Sequence, residues 1–239
     1  MNFAEYNVKD ANLEEVLLAL KSLDTVEAVA LGGSRSTGAS DENSDYDIYV
    51  YCAEIPTAET RENLLGKYCS IAEFGNHYWE SEDNTVMNNG VPVDIIYREV
   101  DRFGRYIDTV IKGGKAFNGY TTAFWHNIKN SKVLFDKTGT FTKFRDMAQI
   151  DFPENLRSAI IKNNRNLLNG KLPSYDRQIK KAQERGDIVS VNHRITAFLE
   201  SYFDVIFALN RQTHPGEKRQ VQLLSLIHIS EPTRLALIS

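Results

Sequence analysis

The 239-residue sequence lacks an uninterrupted run of about 18 apolar residues, the length expected of a membrane-spanning helix. Residues 1–9 also lack the basic segment followed by an apolar segment that is typical of a secretory signal. Internal repeats and low-complexity tracts are missing as well. These absences favour a soluble, cytoplasmic globular protein without a membrane partner.

Cysteine is scarce, with only Cys52 and Cys69 in the whole sequence. The two residues have neither the paired spacing of a zinc site nor the number needed for a disulfide framework. This excludes small disulfide-stabilised domains and zinc-binding modules. It agrees with a reducing compartment, where both residues are expected to serve packing.

A strongly basic surface is also missing, since the formal net charge is -4. Residues 1–150 carry a net charge of -8, whereas residues 151–223 carry +4. The basic half is capable of facing phosphate groups. Its excess of basic over acidic residues is nevertheless no larger than that of ordinary solvent-exposed helices, so nucleic acid is not the favoured partner.

The first half of the sequence alternates between patterns typical of helices and of strands. Helices are predicted over 12–23, 58–69 and 100–111, and strands over 26–31, 46–51 and 91–97. Loops rich in Asn, Asp and Gly are expected between them. This mixture predicts a small domain with a mixed sheet.

After Pro153 the strand patterns stop, and helices are predicted over 153–168, 174–185 and 188–209. The predicted fold class is therefore α+β, with a small mixed-sheet domain followed by an all-helical bundle. The predicted limits are 1–135 for the sheet domain, 136–152 for a connecting segment and 153–223 for the helical domain.

The last residues, 224–239, do not continue the helical pattern that precedes them. Eleven consecutive residues, 224–234, resemble the translated read-through of a sequencing adapter. We therefore expect 224–239 to be a non-native tail and the native helical domain to be truncated.

A glycine-rich turn follows the predicted strand 26–31. Gly32, Gly33 and Ser34 permit close approach of the backbone to a ligand, and amide groups at the start of a short helix favour negative charge. Arg35 adds a guanidinium that is able to form charge-assisted hydrogen bonds. The turn is therefore predicted to bind the phosphates of a nucleotide.

Three aspartates lie in or directly beside two predicted strands. Asp45 and Asp47 are two residues apart, so their side chains share one face of a strand, and Asp94 interrupts an apolar strand. If these strands are neighbours, the three carboxylates converge, and their mutual repulsion calls for a cation. Oxygen ligands together with phosphates suit Mg²⁺.

The strand, the Gly-Gly-Ser turn, the Asp-x-Asp pair and the third Asp together resemble the nucleotidyltransferase superfamily that includes DNA polymerase beta. The runs 31–38 and 44–49, with the helical second half, resemble bacterial nucleotidyltransferase-domain proteins similar to aminoglycoside and lincosamide nucleotidyltransferases. The resemblance covers residues 13–223. It implies that Ser34 holds a triphosphate, that Asp45 and Asp47 hold the metals, and that Asp94 is the third ligand and general base.

The resulting hypothesis is an enzyme that transfers a nucleoside monophosphate, from ATP, to a hydroxyl of a small-molecule acceptor bound between the two domains. Two Mg²⁺ ions are expected as cofactors, with Mn²⁺ as an alternative. A protein or a tRNA acceptor, as in toxin-like members of the superfamily, and a non-catalytic nucleotide-binding protein remain open alternatives. The identity of the acceptor and the oligomeric state are open.

Four further polar clusters are weaker candidates. Residues 75–80 place His77 and Glu80 among aromatics, although an edge strand is the favoured interpretation. On the helical half, the candidates are Tyr175, Lys180 and Lys181, then His193 and Arg194, and then residues 217–219. Exposed helix side chains are the favoured interpretation there.

Overall fold

The structure is a computed structural model of the chain, and it describes residues 8–38, 44–170 and 172–228. The chain divides into two compact units. The first unit holds the chain up to Tyr106 together with Asn127–Gln149, and the second holds Ile107–His126 together with the chain from Ile150 onward. The domain limits drawn from the sequence stay a prediction.

The first unit is a six-stranded mixed sheet flanked by helices. Its strands are β1 (Val26–Leu31), β2 (Tyr46–Cys52), β3 (Cys69–Asn76), β4 (Ser81–Met87), β5 (Pro92–Glu99) and β6 (Lys132–Asp136). The order across the sheet is β3-β4-β5-β2-β1-β6, and only the β2–β5 pair is parallel. Its helices are α1 (Ala11–Lys21), α2 (Gly33–Thr37), α3 (Ala58–Leu65) and α6 (Thr140–Ala148), with parts of α4 (Val100–Ile111) and α5 (Ala123–Asn130).

The two faces of this sheet are covered differently. On one face, the buried apolar side of α1 packs with the inward residues of the strands into the main core. Asp10 begins α1 because its carboxylate accepts hydrogen bonds from the amides of Asn12 and Leu13. On the other face, the ring of Tyr51 contacts Phe141 at a centroid distance of 5.3 Å and Phe103 at 5.4 Å. Aromatic side chains thus fill part of this second face.

The strands β4 and β6 were not predicted, the edge strand favoured over 75–80 lies earlier in the sequence as β3, and the helix predicted over 58–69 is too long. It ends at Leu65, a short 3-10 turn follows at Gly66–Tyr68, and β3 begins at Cys69. The sequence of β4 begins with five polar residues, and two of them, Asp83 and Thr85, are buried. Because its inward positions are polar, the strand lacks the alternation of apolar and polar residues on which strand prediction depends.

Within the described residues, the regular elements of the second unit are all helices, which confirms the predicted α+β fold class. Its main helices are α7 (Glu154–Arg165), α8 (Tyr175–Glu184), α9 (Ile188–Leu209) and α10 (Gln220–His228), with a π turn at Asn166–Gly170. No helix in the described part of the chain is long and apolar enough to span a membrane.

A buried carboxylate ties together three segments of the second unit. Asp204 of α9 accepts hydrogen bonds from the amide and hydroxyl of Thr121 and from the side-chain amide of Asn164. Asn164, on α7, accepts in turn from the amide of Gly119. Burial raises the pKa of Asp204 to about 6, and the hydrogen bonds oppose this rise. The network is structural, since hydrogen-bond partners inside the unit surround the carboxylate.

Helix α10 runs across position 224, where the sequence analysis expects the native helical pattern to stop. Leu224 is buried and packs with Ile206 and Phe207 of α9. The helix continues to His228, and Leu223 also packs against this cluster. The rest of the expected tail, 229–239, lies outside the described residues.

Candidate active site

A tight turn at Gly32 and Gly33 joins β1 to the short helix α2. The amide of Gly32 donates a hydrogen bond of 2.8 Å to the carbonyl oxygen of Asp47, which holds the turn against β2. Gly33 has a φ of +59°, a left-handed conformation that favours glycine. Ser34, which is half-buried, is the second residue of α2. The turn therefore begins where β1 ends and lies directly beside β2.

Both glycines are required by the side chains that face them from β2. A Cβ atom at Gly33 would lie 1.7 Å from Oδ2 of Asp47, and a Cβ atom at Gly32 would lie 2.2 Å from the ring of Tyr49. These distances are far below van der Waals contact. The absence of side chains at the turn thus lets the Asp47 carboxylate lie against the backbone of the turn.

The carboxylates of Asp45, Asp47 and Asp94 converge. Asp47 of β2 is the direct register partner of Asp94 on the parallel strand β5, and Asp45 immediately precedes β2. One carboxylate oxygen from each residue lies within 4.8 Å of the other two, and all three residues are half-buried. At that separation each pair repels by about 3 kcal/mol at an effective dielectric of 20. Three hard oxygen ligands at this spacing fit a magnesium or manganese ion, whose charge would offset this repulsion.

Arg35 contacts the protein rather than the open side of the turn. Its guanidinium donates hydrogen bonds to the carbonyl oxygens of Ser44 and Asp45, and it stacks over the ring of Tyr46 at 4.1 Å. These contacts fix the backbone at the start of β2, where Asp45 lies. A positioning role for Arg35 follows from this geometry, whereas direct contact with a nucleotide stays a prediction.

Residues that the sequence analysis missed surround Asp94. The side-chain amide of Asn84, on β4, donates a hydrogen bond of 3.0 Å to Oδ1 of Asp94. Glu82 lies two residues before Asn84, and burial together with the negative charge of Asp94 raises its pKa. Neither residue carried a sequence signal, because β4 itself was not predicted. The acidic face of the sheet therefore extends from β2 and β5 onto β4.

The candidate Glu80 has a structural partner. Both of its carboxylate oxygens accept hydrogen bonds of 2.8 Å from the buried guanidinium of Arg98. Arg98 also stacks on the ring of Tyr49 at 4.2 Å. Burial raises the pKa of Tyr49 to about 12.

The remaining candidates stay predictions. His77 follows the end of β3, next to the exposed side chains of Tyr78 and Trp79. Lys180 and Lys181 are exposed on α8, and His193 is exposed on α9. Exposure agrees with the interpretation of these side chains as solvated helix residues.

Residues 13–116, which contain the turn and all three carboxylates, match the family model described as a nucleotidyltransferase domain. The chain has a nucleotidyltransferase domain. Residues 122–219 match a second model, described as a domain of unknown function (DUF4037). No curated protein matches the chain. The predicted nucleotidyltransferase domain is thereby confirmed for residues 13–116.

Three solved structures are similar to the chain at low sequence identity. A nucleotidyltransferase-like protein from Exiguobacterium sibiricum has 10% identity and a TM-score of 0.43, with 91% of this chain and 61% of that chain covered. A CD-NTase from Bradyrhizobium diazoefficiens in complex with GTP has 12% identity and a TM-score of 0.29, with 90% and 91% covered. A CCA-adding enzyme in complex with CTP has 16% identity and a TM-score of 0.32, with 95% and 59% covered. The chain thus spans less than two thirds of the first and third of these proteins.

Proposed function

We propose that the protein transfers AMP from ATP to a hydroxyl group of a small-molecule acceptor, with release of pyrophosphate. The observation that carries the proposal is the convergence of Asp45, Asp47 and Asp94 beside the Gly32-Gly33 turn. The glycines let the Asp47 carboxylate lie directly against the backbone that is proposed to bind the phosphates, and the three carboxylates together are able to hold a divalent cation. The nucleotidyltransferase domain supplies the reaction class.

In the proposed reaction, the acceptor oxygen forms a bond to the α-phosphorus of ATP while the bond from that phosphorus to the bridging oxygen breaks. Asp45 and Asp47 would hold two Mg²⁺ ions, or Mn²⁺ as an alternative, and ions bound there would supply positive charge that stabilises the reacting phosphate. Asp94 is the third ligand and accepts the proton of the acceptor hydroxyl. The backbone of Gly32, Gly33 and Ser34 binds the triphosphate.

The proposal is tested with ATP labelled on either the α- or the γ-phosphate. The whole chain is incubated with Mg²⁺ and a cell extract, which is then separated into small-molecule, RNA and protein fractions. We expect α-label, and no γ-label, in new compounds of the small-molecule fraction, because AMP is transferred and pyrophosphate leaves. Labelled protein or RNA would instead identify the toxin-like alternative, and bound ATP without any product would identify a nucleotide-binding protein.

The Gly33→Ala substitution is expected to lower the transfer rate about 100-fold, because the new methyl group overlaps with Oδ2 of Asp47 and displaces that carboxylate by about 1 Å. Gly38→Ala is the matched control. Gly38 also has a positive φ, of 74°, but a Cβ atom there meets nothing within 4 Å. Both variants therefore carry the same backbone strain, and only one displaces Asp47. Initial rates that fall equally in the two variants would contradict a specific role for the gap at Gly33.

A further inference from the structure

A chain of side-chain amides leads to Asp94 across three strands. Asn84 of β4 is the register partner of Asp94 on β5, and its Nδ2 donates to Oδ1 of Asp94 at 3.0 Å. Asn76, at the end of β3, donates from its own Nδ2 to Oδ1 of Asn84 at 2.6 Å. The two hydrogen bonds run in one direction, from the edge strand toward the carboxylate.

This direction is fixed by the carboxylate of Asp94, which only accepts hydrogen bonds. An asparagine side chain offers an oxygen on one side and an NH₂ group on the other, and only the NH₂ group is able to donate to a carboxylate. Because Oδ1 of Asn84 accepts from Asn76, Nδ2 of Asn84 faces Asp94. A rotation of the Asn84 amide by 180° would bring two oxygens together at Asp94 and two NH₂ groups together at Asn76. Both ends therefore favour the orientation that serves Asp94.

A β-bulge brings Asn76 to the face of the sheet that holds Asp94. Glu73 pairs with Asn84 and Asn76 pairs with Glu82, so three steps along β3 match two steps along β4. In a regular strand, residues three apart point to opposite faces, and the extra residue restores them to the same face. Gly75, with a φ of 84°, lies in the bulge, and its amide is held by Asp83 at 2.8 Å. The bulge thus places the side-chain amide of Asn76 where it is able to donate to Asn84.

A neutral donor suits a metal ligand better than a charged one. An amide fixes the rotamer of a carboxylate by occupying one oxygen, and it leaves the full negative charge and the second oxygen for a cation. A lysine or arginine at the same place would neutralise the carboxylate and compete with the ion. Asn84 occupies Oδ1 of Asp94 in this way, while Asp45 and Asp47 converge on the same carboxylate.

We propose that Asn84, oriented by Asn76, is a positioning residue that holds Asp94 in the geometry required for metal binding. The inference rests on the proposed function, because it assumes that Asp94 is a metal ligand. It predicts that Asn84 influences metal affinity only through Asp94. Asn76 acts one step further away, so its removal has a smaller effect than the removal of Asn84.

The test is a titration of the whole chain with Mn²⁺, in which the free ion is measured by its electron paramagnetic resonance signal. Asn84→Ala is expected to weaken Mn²⁺ binding about tenfold, and Asn76→Ala is expected to weaken it less. Asn88→Ala is the matched control, since this asparagine lies past the other end of β4 and donates to the carbonyl oxygen of Lys67. It is expected to bind Mn²⁺ as the unchanged chain does.

The decisive measurement repeats Asn84→Ala in a chain that already carries Asp94→Asn. If Asn84 acts through Asp94, its loss has no further effect there, and the two effects are non-additive. A further tenfold weakening in that background would indicate general damage to the fold and would overturn the inference. So would unchanged Mn²⁺ binding by Asn84→Ala when the unchanged chain binds the ion. If the unchanged chain binds no Mn²⁺, the proposed metal site fails, and the positioning role fails with it.

Discussion

The Asp47→Asn substitution is expected to lower the rate of nucleotidyl transfer about 1,000-fold, which corresponds to about 4 kcal/mol of lost transition-state stabilisation. Asp47 lies between the other parts of the site. Its side chain faces Asp94 across the β2–β5 pair, and its Oδ2 occupies the gap at Gly33. Asparagine keeps the shape of the side chain, removes its charge and replaces one carboxylate oxygen with an NH₂ group. The loss therefore measures what the carboxylate contributes through a bound cation.

The same substitution is expected to make the metal-free protein slightly more stable, by about 1 kcal/mol. One of three mutually repelling carboxylates is removed, and water screens these half-buried groups enough to reduce the gain to this size. Loss of activity together with a gain of stability is the signature of a metal ligand, because damage to the fold would lower both quantities. Rates are measured with saturating ATP and Mg²⁺, and stability is measured by urea unfolding in a metal chelator.

Asp24→Asn is the matched control for this experiment. Asp24 is exposed in the turn between α1 and β1. It carries the same carboxylate as Asp47 but is not one of the three converging residues. We expect its rate and its free energy of unfolding to stay within the error of the unchanged chain. An active Asp47→Asn variant, or one that is less stable than the unchanged protein without metal, would remove Asp47 from the proposed metal site.

The parts of the site on β1, β2 and β5 were predictable because their sequence patterns are strong. The apolar run 26–31 coincides with β1, and the two glycines that follow it form the turn. Asp45 immediately precedes β2 and Asp47 lies in it, so the two-residue spacing places both at the start of this strand. Asp94 was recognisable because a charged residue rarely lies inside an apolar strand unless a partner group compensates for its charge. Sequence patterns of this kind report the faces of individual strands, and they were sufficient for the three carboxylates.

The direction of a side chain and the neighbours of an edge strand are not encoded in such patterns. The hydrogen bonds from Arg35 to the carbonyl oxygens before β2, and its contact with the ring of Tyr46, depend on tertiary structure, and its predicted contact with a nucleotide stays a prediction. The pairing of Asn76 with Asn84 depends on one extra residue in β3. A bulge changes the face of every later residue, so its position must be known before the side chains are assigned.

The buried ion pair between Arg61 and Asp83 leads to the largest expected effect on stability. Arg61 of α3 contacts Asp83 of β4 at 3.1 Å, and the two side chains are 2% and 0% exposed. Arg61 also stacks over the ring of Tyr97 at 4.4 Å. Arg61→Leu is expected to lower the free energy of unfolding by about 3–5 kcal/mol, because it leaves a buried carboxylate without its cation. Urea unfolding measures this loss.

The cost of Arg61→Leu is also expected to depend on pH. Burial raises the pKa of Asp83 above its ordinary value, while the amide of Gly75 and the charge of Arg61 lower it. Without Arg61 the folded-state pKa rises further, and a carboxyl whose pKa is raised on folding destabilises the protein increasingly as the pH rises above its unfolded value. The deficit of the variant is therefore expected to be larger at pH 8 than at pH 5. A deficit that is independent of pH would mean that lost packing, rather than the unpaired charge, causes it.

Two further variants separate the charge from the packing. Asn63→Leu introduces the same side chain at an exposed position of α3 and is expected to change the stability little. Arg61→Leu combined with Asp83→Leu removes both charges and is expected to recover most of the loss. The recovery should be incomplete, because Asp83 also holds the amide of Gly75 in the bulge of β3. Since that bulge directs Asn76 toward Asn84, the double variant should bind Mn²⁺ more weakly than the unchanged chain even where its stability is restored.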